Sequence, residues 1–103
     1  MKENVRDQMP VAAVAASGKV SWADFGPFLQ RMRRRRGISQ ETLAASLGCH
    51  RTYIWRLEHG RNRPSRILLH SLESSYALIA EEAAILTIFK QLHAYQMDEM
   101  ALA

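Results

Sequence analysis

The sequence predicts an all-α fold, a compact bundle of four to five helices, on three observations. Apolar residues recur every three or four positions from Phe25 onward. Glycines fall where those periodic stretches stop, at Gly37, Gly48 and Gly60. Residues that cap or open helices, among them Ser39 and Pro64-Ser65, stand just before the stretches resume. With 103 residues, 48% of them hydrophobic, the chain suits one domain with a modest core.

Each element has a local reason. Residues 1–21 hold Pro10 and an Ala/Val run from Val11 to Ala16 without a sustained period, and read as a flexible arm. That run is short, weakly hydrophobic and preceded by mixed charges, so it is not read as a secretory signal. Residues 22–78 read as the main domain. Asp24 is placed to cap a first helix, with Pro27 in its first turn and Phe25, Phe28, Leu29 and Met32 facing inward. Gly37 ends it. Ser39 caps a second helix reaching about Leu47, with Leu43, Ala44 and Leu47 as its inner stripe. A third runs from about Arg51 to Glu58, with Ile54 and Leu57 inward and Gly60 after its end. Pro64-Ser65 opens a fourth, whose apolar positions are Ile67, Leu68, Leu69 and Leu72. Residues 79–103 read as a final helix, from about Glu81 to Met97.

The net charge of +4 conceals its placement. Residues 31–66 carry ten arginines against Glu41 and Glu58, a local +8, while residues 67–103 carry five acids and Lys90 and residues 1–30 balance. Positive charge is thus gathered on the second and third helices and their flanks, where a polyanionic partner would need it. The run Arg33 to Arg36, taken alone, reads as solvated surface. The single cysteine, Cys49, excludes an internal disulfide and suits a reducing cytoplasm. No apolar run is long enough to span a membrane.

Two short amphipathic helices joined by a tight turn at Gly48, the second with outward arginines, make a helix-turn-helix pattern. The stretch Phe25-Gly26, Leu29, Met32-Arg33, Gly37-Ile38-Ser39-Gln40, Leu43-Ala44, Leu47-Gly48, Ile54, Leu57-Glu58, Gly60 and Pro64-Ser65 resembles the lambda-repressor-like, Xre/Cro-type helix-turn-helix family. The resemblance covers roughly half the chain. It implies a bundle with a central helix-turn-helix that binds double-stranded DNA, commonly as a homodimer, in a bacterial, phage or plasmid setting.

Residue by residue, the resemblance implies that Gln40 touches a phosphate and braces the recognition helix. It places Arg51, Thr52 and Arg56 at base-reading positions. Trp55 departs from the pattern, being bulky for an exposed recognition position: it is expected to contact a thymine methyl or wedge against sugar, or else to pack over neighbouring surface. Arg61 and Arg63 match loop positions on the DNA backbone. Arg33 and Glu58 match a structural ion pair. The cap of the recognition helix is commonly Ser or Thr in the family; here Cys49 or His50 stands there, leaving a weaker cap or a His50 that approaches DNA. Arginine donates two parallel hydrogen bonds to guanine O6 and N7, so Arg51 or Arg56 is expected to read a guanine. A phosphate contact is the plainer alternative for each.

Other signals are weaker. Cys49, His50, Glu58 and His59 lack the ligand spacing of a zinc site. Cys49, beside Arg51 near a helix N-terminus, admits an acidified, redox-sensitive thiol, and a half-buried turn cysteine explains it equally. No catalytic constellation or nucleotide loop is recognisable, so neither an enzyme nor a cofactor is expected. In the last helix Ile85, Ile88, Phe89, Leu92 and Tyr95 form an apolar stripe, with Leu86, Met97 and Met100 widening it. Such a stripe either completes the core or pairs two copies.

The expected function is sequence-specific DNA binding by a dimeric transcriptional regulator, a repressor, because occupying a site that overlaps a promoter suffices. At this length no separate ligand-sensing domain is expected. An antitoxin-type protein that holds a partner protein and autoregulates through DNA is the alternative, followed by a non-specific nucleic-acid binder.

Overall fold

The computed structural model describes residues 20–102, with side chains described through Gln96. After a short 3-10 turn at Trp22–Asp24, five α-helices follow: α1 Phe25–Arg35, α2 Gln40–Leu47, α3 Arg51–Glu58, α4 Arg66–Ser75 and α5 Ala80–Leu102. Nearly all of the expected arm falls outside the described residues, as do the side chains of Met97 and Met100.

Local chemistry sets most boundaries. Ser39 Oγ accepts from the Thr42 N–H at 3.0 Å and Ser65 Oγ from the Leu68 N–H at 3.1 Å, satisfying orphan donors at the starts of α2 and α4. Between α2 and α3 the chain reverses at Gly48, φ 70°, a left-handed conformation that side chains disfavour. Asp24 departs from expectation. Its backbone is already helical, and its carboxylate accepts from the Ser21 N–H at 2.9 Å, closing the 3-10 turn behind it rather than capping α1.

The core joins all five helices. Phe25, Phe28, Leu29 and Met32 of α1 meet Leu43 and Ala44 of α2, Ile54 and Leu57 of α3, Leu68, Leu69 and Leu72 of α4, and Leu86 and Phe89 of α5. Aromatic rings tie the last helix in. Phe89 lies 5.1 Å from Phe25, edge to face, and 5.5 Å from Trp22, stacked.

Two apolar expectations and one helix boundary change. Ile67 is 77% exposed: at 100° per residue it lies about 150° from the mean direction of Leu68, Leu69 and Leu72, which hold the inward arc. Tyr95 is 67% exposed, because the inward stripe of α5 continues from Leu86 and Phe89 to His93 and Gln96. The last helix also extends beyond Met97, to Leu102.

The arginine run after Met32 is not simply solvated. Arg36 donates to both oxygens of Glu82, at 2.9 and 2.8 Å, and to the carbonyls of Met32 and Ala77. Glu82 also accepts from the Ile79 N–H at 3.2 Å, and its side chain is 6% exposed. The hydrogen bond from Arg36 holds the Glu82 carboxyl below the usual carboxylate range, against the opposing effect of burial. This pair fastens the end of α1 to the first turn of α5. Among the described residues no buried side-chain nitrogen or oxygen lacks a hydrogen-bond partner.

Candidate nucleic-acid interface

The site is built on α3, whose inner face is fixed by Ile54 and Leu57, 0% and 1% exposed. With those two residues inward, Arg51, Thr52, Trp55 and Arg56 are all exposed.

The carboxyl end of α3 is locked from below. Glu58 accepts from Arg33 Nε at 2.7 Å and from a terminal guanidinium nitrogen at 3.1 Å, a two-pronged pair whose carboxylate is fully buried. A third donor, Gln40 Nε2, reaches the same carboxylate at 3.1 Å. Arg33 also donates to the Ile38 carbonyl at 3.0 Å, so α1, the α1–α2 turn, α2 and α3 are joined through the Arg33–Glu58 pair. Hydrogen bonding to Glu58 raises the Arg33 guanidinium further above its ordinary value. The amide of Gln40 has a second N–H, and Gln40 lines a shallow cleft with Arg33, Ser39, Glu41 and Arg51.

His50, not Cys49, caps α3. Its Nδ1 accepts from the Thr52 N–H at 3.2 Å and lies 3.1 Å from the Thr52 hydroxyl, which leaves Nε2 outward. Cys49 is half-buried against the core, and burial pushes its thiol above the ordinary value, opposite to the acidification its neighbours suggested. Trp55 stacks on His59 with ring centroids 4.0 Å apart, and His59 Nδ1 donates to the Trp55 carbonyl at 2.8 Å. Trp55 is 40% exposed, so it packs on the residue just beyond the end of α3 while part of it stays open.

Beyond α3 the segment to α4 is anchored by buried Pro64 and by Tyr53, whose hydroxyl accepts from the Ser65 N–H at 3.1 Å. Arg61 and Arg63 are exposed on it, and Arg66, which sequence reasoning passed over, opens α4 beside them. Among the described residues none of Arg51, Arg56, Arg61, Arg63 and Arg66 pairs with an acid. By contrast Arg33 and Arg36 are neutralised inside the fold. Free positive charge is thereby left on α3 and the chain that follows it, and on α1 at exposed Arg31 and Arg34.

The expected pairing stripe divides. Phe89 and Ile88 are 0% and 8% exposed and belong to the interior, Ile85 and Leu92 are half-buried, and Tyr95 is open. Among the described residues, no cluster of His, Cys, Asp and Glu could hold a metal ion, and no helix is long and apolar enough to cross a membrane.

No curated protein and no solved structure matches the chain. A family model described as a helix-turn-helix domain matches residues 24–84, more than half of the chain and all of α1 to α4. The chain belongs to that helix-turn-helix domain family, in its Xre/Cro-like form.

Proposed function

We propose that the protein is a sequence-specific double-stranded DNA-binding regulator that acts as a dimeric repressor with α3 in the major groove. One observation carries the reading: α3 presents Arg51, Thr52 and Arg56 outward while Glu58, held by Arg33 and Gln40, fixes the helix against the bundle. A reading helix held rigidly keeps its donors aimed, which suits discrimination between base edges. Arg51 or Arg56 reads a guanine, and Trp55 offers its open part to a thymine methyl or sugar. Gln40, through its second N–H, and Arg61 and Arg63 hold phosphate, with His50 Nε2 at the margin. The exposed Tyr95 side of α5, with Leu92, is the surface on which two copies would pair, which suits an operator of two-fold symmetry.

The test is selection of bound sequences from a random duplex pool, with wild type and Arg51→Ala in parallel. The expected result is a two-fold-symmetric motif that loses one base preference in the variant. Enrichment of no motif, with binding that fades as salt rises, refutes the reading.

A further inference from the structure

We propose that Gln96, on the carboxyl half of α5, is a positioning residue that presets Arg63 for contact with the DNA backbone. This rests on the DNA-binding reading above.

Gln96 lies 33 residues beyond Arg63 in sequence, yet its Oε1 accepts from the Arg63 guanidinium at 3.2 Å. The same oxygen accepts from the Trp22 indole Nε1 at 2.8 Å. Two donors converge on it, and neither can accept, so the amide has one orientation compatible with both. Trp22 is itself held, stacked on fully buried Phe89 and edge-on to Phe25 and His93. A rigid path therefore runs from the core through Trp22 and Gln96 to an arginine that would otherwise sample many rotamers. An arginine already held loses less freedom on meeting a phosphate.

The choice of amide matters electrically. Glutamine holds the guanidinium without neutralising it, whereas a carboxylate at this place would make an ion pair and withdraw the charge from a phosphate. Arg33 and Arg36 show what acids do in this fold: both are paired with glutamates in the interior. Arg63 is steered instead by a neutral acceptor, and its charge stays available.

The experiment measures binding to the duplex selected by the wild type and to an unrelated duplex, across a salt series, for Gln96→Met, Gln96→Glu, Arg63→Ala and the Gln96→Met/Arg63→Ala pair. Methionine keeps the length of the side chain and removes the acceptor. It should weaken both duplexes by about threefold with an unchanged salt slope, the effect of one lost orienting hydrogen bond. In the Arg63→Ala background it should do nothing further. Glutamate keeps an acceptor for Trp22, so the fold has what it needs, but the salt slope should fall by about one.

Wild-type affinity in Gln96→Met, or the same loss when Arg63 is already gone, overturns the proposal. An unchanged slope in Gln96→Glu does so as well. A wild type that binds neither duplex removes the DNA-binding reading and this inference with it. Wild-type binding that depends on Arg63 but ignores Gln96 removes the inference alone.

Discussion

Replacing Gly26 by alanine sets two opposing effects against each other. Alanine is the better helix former, and within a helix the exchange stabilises by at most about 1 kcal/mol. Gly26, however, lies where α1 crosses the carboxyl end of α3. A Cβ there would stand 2.5 Å from the Glu58 carbonyl oxygen, 2.9 Å from that of Leu57 and 3.0 Å from the Glu58 carbonyl carbon. All three atoms are backbone, so no side chain can swing aside. Restoring a normal separation of about 3.5 Å pushes the two helices roughly 1 Å apart and loosens the core around Phe25, Leu29, Ile54 and Leu57. Overpacking costs about 1–3 kcal/mol, and a backbone obstruction belongs at the upper end of that range. The net expectation is a loss of about 2 kcal/mol, which lowers the melting temperature of a domain this size by about 10 °C. Thermal unfolding followed by far-ultraviolet circular dichroism, with wild type and Gly26→Ala in one buffer, measures it. A variant as stable as the wild type refutes the backbone-to-backbone contact of α1 with α3.

Three other expectations follow from the interior pairs and the turn. Glu58→Ala leaves Arg33 without its carboxylate and should cost about 3–5 kcal/mol in urea unfolding, because one half of a buried pair is then uncompensated; a loss near zero would show that the junction does not hold α3. The Glu82 carboxyl, lowered by Arg36, should make stability depend on pH. A group with a folded pKa below its unfolded value of about 4.3 stabilises fully above that value and loses the contribution as pH falls through the folded one. Urea titrations between about pH 6 and about pH 3 should therefore show a steeper acid loss in wild type than in Glu82→Gln, and parallel curves would contradict the pairing. Cys49, with its thiol raised by burial, should react with iodoacetamide more slowly than free cysteine at neutral pH. Faster reaction would restore the redox reading.

The sequence by itself determined the helices and most of their ends, though not the run of the last helix to Leu102. The Ser39 and Ser65 caps, the reversal at Gly48 and the three-and-four spacing of Phe25, Phe28, Leu29 and Met32 are decided within a turn or two of chain, by backbone donors and 100° steps. The outward placement of Arg51 and Arg56 follows from the same local geometry once Ile54 and Leu57 turn inward. Short-range reading failed where a competing local arrangement won, as at Asp24, which closes the turn behind it, and Ile67, on the far side of α4 from its leucines.

Only the tertiary structure decided which charges and amides meet. Arg36 and Glu82 are 46 residues apart and Trp22 and Gln96 are 74 apart, and no periodicity links such positions. The place of Gln96 on the Leu86 and Phe89 stripe is the one local hint, and a polar side chain carries no apolar periodicity that would mark it. The adjacent arginines 33 to 36 look alike in sequence, yet helix rotation sends Arg33 to Glu58 and Arg36 to Glu82 while Arg34 stays exposed. Partner choice belongs to helices packed at a distance in the chain, since an ion pair or a shared oxygen forms only where folding has brought the groups within hydrogen-bond reach.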